Sequence, residues 1–311
     1  MFYVYNTLLI FIGIPLFLLY LPFFLASKRH RRNFFARCRP PSVSPPEEGE
    51  VRVWVHAVSV GETLAALPLV RKLREARPDV KIYFSTITVT GMEVARKRLK
   101  GLVENVFYLP FDFYPLMSET ARRVSPEKLI IMETEIWPNL IWACRRRGVR
   151  LFLVNGRFSD RSFPRYRKVR PFMRSLFREF DALLMQSRED AGKIARLGAP
   201  LEKVSVPGNV KFDMTPPTSK NPELVEAVRE ISRERKVLLG ASTHEGEEEA
   251  LARLCTDRDD IFLVIAPRHP ERFDRAEEVV RSKGFKTLRR TRLSGNTVTN
   301  GVDCLILDTL G

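Results

Sequence analysis

The residues best suited to chemistry are two glutamates, each placed where an apolar run ends. Glu62 follows the run Val51–Val58 after a short Ser-Val-Gly segment, and Glu133 directly follows Leu-Ile-Ile-Met. A carboxylate at the end of a buried strand can act as a general base when it is ionised at working pH. The simpler interpretation of Glu62 is a first-turn residue that complements the dipole of the following helix. Taken by itself, the segment leaves both interpretations open.

Neighbouring residues add to this candidate site. Gly61 permits a tight turn or the close approach of a substrate. The hydroxyl-rich stretch Ser85–Gly91 suits oxyanion or sugar contacts at a helix N-terminus, and plain N-capping by Thr90 is the alternative. Glu135 is expected to cap the helix that follows it. These residue types favour a site for an oxygen-rich or anionic substrate.

The second half of the chain offers groups suited to phosphate. Ser242 and Thr243 lie between a strand and a helix, where they can cap the helix or bind phosphate. Arg268 ends another apolar run, and its fork of donors suits a phosphate. The sequence has no Walker loop, no complete Gly-x-Gly-x-x-Gly and no Asp-x-Asp. ATP hydrolysis, NAD chemistry and metal-dependent glycosyl transfer therefore lose support, and we expect neither a cofactor nor a metal.

The elements that position these residues alternate between strand and helix, which is typical of a parallel sheet with crossover helices. A proline-rich break at 213–222 separates two such series. We predict an α/β protein with two Rossmann-like domains, 51–212 and 213–311, that face each other over a cleft. The second domain would hold only three strands. The predicted strands are Val51–Val58, Val80–Thr86, Val106–Leu109, Leu129–Glu133, Leu151–Asn155, Ala182–Gln186, Val237–Gly240, Ile261–Ala266 and Cys304–Leu307.

An uncharged stretch of nineteen residues, 7–25, precedes the first domain. A bilayer core takes about 17–25 such residues. The basic residues of 28–32 follow at once, so the positive-inside rule places the globular part in the cytoplasm. A cleaved signal peptide is the rival interpretation, but no basic region precedes the apolar one. We predict a membrane anchor at 1–27 and a basic, proline-rich linker at 28–50.

The charge of the chain indicates anionic partners. The formal net charge is +15, and twelve Lys or Arg residues lie between Arg145 and Arg178 against one acid, Asp160. In a tethered protein such a patch favours anionic lipid headgroups over nucleic acid, for which no reading signature is present. The four cysteines are far apart and show no C-x-x-C spacing. That pattern indicates a reducing compartment rather than a disulfide framework or a zinc site.

Six segments of the chain form a recognisable set, in order and at characteristic spacing: Trp54–Leu73, Met132–Leu140, Asn155–Ser162, Gly208–Asp213, Ala241–Glu248 and Pro267–Phe273. Together they resemble the 3-deoxy-D-manno-octulosonic acid (Kdo) transferases of Gram-negative bacteria. The resemblance implies a GT-B fold, an N-terminal inner-membrane anchor, CMP-Kdo as donor and a lipid A precursor (lipid IVA) as acceptor.

The resemblance also implies roles for single residues. The general base of the family falls on Glu62, and a second functional carboxylate falls on Glu133. The resemblance places the CMP contacts on Pro267 and Arg268 and, after Asp-Thr, on Leu310 and Gly311. We further predict Ser242 and Thr243 as nucleotide contacts, and Gly61, Arg157 and Lys211 as contacts on the acceptor side.

The family continues after the last turn of this sequence with a Gly-Gly-x-Asn-x-Leu-Glu-Pro type segment that holds the nucleotide. The second domain is therefore expected to be incomplete. Two other functions remain open at this point. One is another GT-B enzyme, such as a nucleotide-sugar epimerase or a different lipid glycosyltransferase. The other is a non-catalytic, membrane-tethered protein that binds polyanions.

Overall fold

A computed structural model describes residues 1–26, 28–213, 222–293 and 301–309. The chain divides into two compact units, Met1–Thr215 and Pro216–Gly311, and each is described by itself. The predicted domain limit after residue 212 lies three residues before this division.

The N-terminal segment is helical almost throughout. It comprises α1 (Phe2–Leu8), a π-helical turn (Leu9–Gly13) and α2 (Ile14–Ala26). The 21 residues Phe2–Pro22 are long and apolar enough to cross a membrane, by length and composition only. The residues predicted as a linker begin with a further helix, α3 (Lys28–Arg37).

The first unit is built on a seven-stranded sheet with every described pairing parallel. All six predicted strands are present, and β7 was missed because two residues carry no periodicity. The strands are β1 (Arg52–His56), β2 (Lys81–Thr86), β3 (Asn105–Tyr108), β4 (Lys128–Met132), β5 (Arg150–Gly156), β6 (Ala182–Met185) and β7 (Val204–Ser205). The helices are α4 (Val60–Ala76), α5 (Val89–Arg98), α6 (Tyr114–Val124), α7 (Pro138–Arg145), α8 (Phe163–Lys168), α9 (Arg170–Phe177) and α10 (Arg188–Arg196).

Both faces of this sheet are covered, so its central strands β1 and β2 are buried at nearly every position. Val53 and Val55 of β1 pack into one apolar cluster, and Trp54 packs into the other. Burying a large side chain of this kind contributes about 1.5–3 kcal/mol. A rigid sheet therefore holds the carboxyl ends of its strands in fixed positions.

The strand order places a topological switch point between β1 and β4. The order is β3-β2-β1-β4-β5-β6-β7, so the chain builds outward in one direction from β1 and in the other from β4. In open α/β sheets, ligands bind outside the carboxyl ends of the strands at such a point. Glu62 follows β1 and Glu133 follows β4, so both carboxylates flank it.

The second unit holds a smaller parallel sheet of order β10-β11-β9-β8. Our prediction of three strands was wrong for the described residues, because the three-residue strand Thr287–Arg289 lacks a sequence signal. The strands are β8 (Lys236–Thr243), β9 (Ile261–Pro267), β10 (Thr287–Arg289) and β11 (Cys304–Ile306), and the helices are α11 (Pro222–Ser232), α12 (Glu247–Cys255) and α13 (Phe273–Ser282).

Candidate active site

Glu62 is fixed by hydrogen bonds within its own turn. The N–H of Val58 donates to Oε2 at 2.7 Å, and the Ser59 hydroxyl donates to Oε1 at 2.8 Å. Ser59 is also the N-cap of α4 and accepts from the N–H of Glu62. This arrangement resembles a capping box, in which cap and third residue support each other. The simple first-turn role is therefore present, and it leaves each carboxylate oxygen with unused lone-pair capacity.

The environment of Glu62 opposes its charge. The side chain is only 8% exposed. Burial raises the pKa of Glu62, the hydrogen bonds from Val58 and Ser59 oppose that rise, and the charge of Glu133 adds to it. Among the described residues Glu62 has no ion-pair partner. A carboxylate of this kind accepts a proton more readily than a solvated one.

The end of β2 and the loop after it hold Val58 in place. The hydroxyls of Thr86 and Thr88 both donate to the Val58 carbonyl, at 2.8 and 3.2 Å. Thr88, not Thr90, is the N-cap of α5, with its hydroxyl accepting from the N–H of Gly91. The hydroxyl-rich stretch thus holds the backbone of Val58, whose N–H in turn holds the Glu62 carboxylate.

Glu133 is paired with two cations. Nζ of Lys211 lies 3.2 Å from Oε1, and Nε of Arg157 lies 3.2 Å from Oε2. The residue has a φ of 53°, which L-residues adopt rarely and which often marks functional positions. The structure thus brings three predicted site residues together from three separate segments.

Asn155 anchors the segment that carries Lys211. Its Oδ1 accepts from the N–H of Val210 at 3.1 Å, and its carbonyl accepts from Gln186 at 2.9 Å. Gln186 in turn accepts from the side-chain amide of Asn209 at 3.1 Å. Sequence reasoning missed Asn155 and Gln186, although each sits at or just beyond a strand end, where such residues are found.

Glu135 is a third carboxylate of the same site. Burial raises its pKa to about 7, with further contributions from the charges of Glu62 and Glu133. Our expectation that Glu135 caps α7 was wrong, because the N-cap position is Trp137 and the first N–H groups of the helix donate to Asp112 instead. The mutual electrostatic effects show that the three carboxylates lie near one another.

Three buried side-chain nitrogens at this edge lack hydrogen-bond partners within the described residues. They are Nε2 of His56, Nε1 of Trp137 and Nδ2 of Asn155. His56 ends β1 and shares the Ser85 hydroxyl with the indole of Trp54, each at 2.8 Å. Because Trp54 can only donate, the hydroxyl hydrogen is available to Nδ1 of His56, which places the imidazole proton on Nε2. Burial lowers the pKa of His56 to about 3, so the ring is neutral.

Gly61 is exposed and helical, and a methyl group added to it would meet only the Ser59 hydroxyl, at 3.9 Å. The fold therefore gives no reason for glycine at this position. An open space above the helix start, beside Glu62, is what the approach of a substrate requires.

The predicted nucleotide residues of the second unit lie at the carboxyl ends of neighbouring strands. Thr243 ends β8 and pairs in register with Pro267 at the end of β9. The N–H of Arg268 donates to the Thr243 carbonyl at 3.1 Å. Arg268 is exposed, and its guanidinium has no partner in the part of the chain that the structure describes. Leu310 and Gly311 lie outside the described residues.

The hydroxyl of Thr243 is engaged inside the unit. It donates to Oε1 of Glu248 at 2.8 Å, and Arg272 lies 3.0 Å from Oε2 of the same residue. Ser242 is exposed, with a φ of 58°. The first turn of α12 carries three glutamates, 247–249, which already balance the helix dipole. A phosphate is therefore better served by the Arg268 guanidinium than by this helix N-terminus.

Metal-ligating groups do not cluster in the part of the chain that the structure describes. It contains no group of three His, Cys, Asp or Glu side chains that could hold a metal ion. Cys38 is exposed, while Cys144, Cys255 and Cys304 are buried. The site therefore rests on carboxylates, basic side chains and backbone groups.

Solved structures share the fold. A UDP-GlcNAc 2-epimerase from Neisseria meningitidis, bound to UDP-GlcNAc, superposes with a TM-score of 0.56 over 84% of this chain and 73% of that one. At 10% identity this likeness shows the fold alone, an α/β architecture of the GT-B type.

Sequence comparison identifies the family. Residues 28–214 match the family described as 3-deoxy-D-manno-octulosonic-acid transferase (kdotransferase). The 3-deoxy-D-manno-octulosonic acid transferase of Haemophilus influenzae is 33% identical over 79% of this chain and 58% of that protein. The transferase of the same description from Bordetella pertussis is 34% identical over 89% of this chain and 64% of that protein. The chain thus spans about three fifths of the length of these relatives. It belongs to the Kdo transferase family.

Proposed function

We propose that this protein transfers Kdo from CMP-Kdo to a lipid A precursor during lipopolysaccharide synthesis. The observation that carries the proposal is Glu62, a buried carboxylate with no ion-pair partner among the described residues, at the switch point of a chain in the Kdo transferase family. A general base has to be placed, desolvated and ionisable, and Glu62 meets these requirements.

The proposed reaction is an inverting, metal-independent displacement. Glu62 removes the proton from an acceptor hydroxyl as that oxygen bonds to the anomeric carbon of Kdo. The bond from that carbon to the phosphate oxygen breaks, and CMP leaves with the electron pair. Gly61 offers open space for the acceptor next to the base.

Glu133 and Lys211 form the second part of the proposed site. The ion pair between them, together with Arg157, places positive charge at the same sheet edge as Glu62. Cationic groups there stabilise negative charge that develops in the transition state. We assign these residues to substrate positioning and charge stabilisation rather than to proton transfer.

Nucleotide binding is assigned to the second unit. Arg268 is exposed and unpaired within the described residues, and Pro267 and Ser242 lie at the same strand ends. A guanidinium binds phosphate through two parallel hydrogen bonds. We propose that Arg268 holds the CMP phosphate and that Thr243 contributes mainly through its backbone.

The proposed location is the cytoplasmic side of the inner membrane. The apolar helix of residues 2–22 supports membrane attachment, and the excess of basic residues supports contact with anionic lipids. A lipid-linked acceptor would then be met at the membrane surface.

A donor comparison tests the function. The full chain in membranes is given the lipid A precursor with either CMP-Kdo or UDP-N-acetylglucosamine, and products are measured by mass spectrometry. We expect a mass gain of one or more Kdo units with CMP-Kdo only. A product formed solely from the UDP-sugar would favour another GT-B enzyme, and binding to anionic vesicles without CMP binding would favour the non-catalytic alternative.

A further inference from the structure

We infer that the N-terminal apolar segment does not cross the bilayer. It lies along the membrane surface instead, held against the first unit on one side and covered by anionic phospholipid on the other. This inference rests on the membrane attachment proposed above but is independent of the sugar chemistry.

The beginning of the segment is packed on the first unit. The ring of Phe2 contacts the rings of Tyr114 and Trp142, with centroids 4.8 and 5.2 Å apart. The Tyr5 hydroxyl donates to Asp112 at 2.9 Å. The Arg146 guanidinium lies over the Phe2 ring at 4.0 Å. Aromatic, polar and cationic contacts together fix the first helical turn.

Polar residues extend this attachment into α7. Asp112 accepts from the N–H groups of Asn139 and Leu140, each at 3.2 Å, and so caps the start of that helix. The side-chain amide of Asn6 donates to Asn139 at 2.9 Å. Polar side chains in an otherwise apolar segment are expensive in a lipid interior, and here they have protein partners.

The middle of the segment and the helix after it contact the same loop. Phe17 lies 5.8 Å from Phe111 between ring centroids, and Phe34 of α3 lies 5.5 Å from that same ring. The Arg37 guanidinium lies over Phe111 at 4.4 Å and donates to the Leu109 carbonyl at 3.0 Å. The first turn and the middle of the apolar segment, and the helix after it, therefore all contact the loop between β3 and α6.

This geometry conflicts with a crossing. A bilayer core is about 30 Å thick, so a spanning helix has its two ends on opposite sides. Phe2 and Phe34 could not then both contact residues 111–114 of one globular unit. The distance along the helix from Phe2 to Phe17 is about 22 Å, and the contacts at both positions fall on one surface.

The other side of the segment is apolar and exposed. Tyr3, Phe11 and Leu19 are 78%, 75% and 74% exposed. Large apolar side chains exposed along a whole helical segment mark a membrane or protein interface. Lipid is the occupant that fits, because the segment is long enough to enter a membrane and carries no charge.

The charges beside the segment fit anionic headgroups. Tyr5 stacks on Phe172 of α9 with centroids 5.6 Å apart, which joins the segment to the basic helices α8 and α9. Arg165, Arg167 and Lys168 of α8 are exposed, as is Arg170 at the start of α9. Basic residues at headgroup level next to an immersed apolar helix are typical of proteins that lie on a membrane.

Cysteine cross-linking tests the orientation in membranes containing the full chain. In a Cys38→Ser background, the pairs Phe2→Cys with Tyr114→Cys and Tyr5→Cys with Phe172→Cys are oxidised with copper phenanthroline. The pair Phe2→Cys with Lys81→Cys is the control, because Lys81 is the first residue of β2 and lies at the amino ends of the strands, away from the loop that Phe2 contacts. We expect at least one test pair to form a disulfide in most molecules and the control pair to form none.

Lipid depth gives a second measurement that does not depend on disulfide geometry. A fluorophore is placed on cysteine at position 3, 11 or 19, and quenching by lipids brominated at different depths is compared. A segment lying along the surface gives the same shallow depth at all three positions within about twofold in quenching. A spanning helix gives maximal depth at position 11 and shallow values towards its ends.

The outcomes separate the two proposals. Absence of cross-links in both test pairs, together with a deep position 11, would overturn the surface orientation. Retained Kdo transfer in that case would leave the proposed function standing. Cross-linking without transfer would support the orientation and count against the function.

Discussion

The two units each bury a glutamate in the first turn of the helix that follows their first strand, and the two glutamates differ in their partners. Glu62 in the first unit accepts from a backbone N–H and a serine hydroxyl, and burial raises its pKa. Glu248 in the second unit is 1% exposed and pairs with Arg272 at 3.0 Å. The first arrangement leaves the carboxylate without a cation among the described residues, whereas the second pairs it with an arginine. The two glutamates occupy matching positions in the fold, so their partners are what distinguish the proposed base from a structural acid.

The test with the largest expected effect replaces each of the two glutamates in a separate variant. Glu62→Gln keeps the shape and an acceptor oxygen, so we expect transfer to fall by about 10²–10⁴-fold with little change in Tm. Glu248→Ala leaves the Arg272 charge without its ion-pair partner, so the free energy of unfolding should fall by roughly 3 kcal/mol. The transfer rate and the Tm are measured for both variants. An unchanged transfer rate in Glu62→Gln would show that Glu62 is not the general base.

A second pair of variants compares the cations. Lys211→Met should lower kcat by about 10²-fold, because a charge at the site is lost. Its effect on stability should be at most about 1 kcal/mol, since Lys211 is 40% exposed in its pair with Glu133. Arg272→Met should instead destabilise the protein, because Glu248 is left buried without its cation. If Lys211→Met shifted only Tm, the residue would be structural.

The acidic site also predicts an unusual pH dependence of stability. The pKa of Glu135 is raised from 4.5 to about 7 in the folded protein. Between these values the folded state keeps a proton that the unfolded state releases, so stability falls as pH rises through this range. Glu135→Gln should therefore raise the free energy of unfolding by up to about 3 kcal/mol at pH 8 and leave it unchanged near pH 4.5. Denaturation at both pH values measures this, and equal effects at both would contradict it.

The smallest expected effects come from two glycines. Gly61→Ala meets no neighbour in the fold, so stability should stay the same or rise by up to about 1 kcal/mol while transfer declines. In Gly240→Ala the added carbon would lie 2.5 Å from Leu251, so this matched variant should lose stability. Thermal unfolding and acceptor KM separate the two. Normal kinetics in Gly61→Ala would show that no substrate approaches there.

The sequence allowed the strand-end carboxylates to be predicted, because an apolar run followed by an acid identifies both Glu62 and Glu133. It could not show that Lys211, 78 residues further on, pairs with Glu133, since that contact depends on the Asn155 and Gln186 hydrogen bonds. Nor could it show that Arg272 neutralises Glu248 or that His56 is buried and neutral. Short elements such as β7 and β10 lack enough residues for periodicity, whereas the long apolar strands were found.

The contact between the first helical turn and Asp112 has a mechanical consequence. Asp112 caps α7, and α7 begins directly after the segment that carries Glu133 and Glu135. If α1 lies on lipid, its contact with Asp112 and α7 would fix the height of these acids above the bilayer, whatever the length of the proline-rich segment. The candidate site would then act only on acceptor hydroxyls that lie at the same height above the membrane.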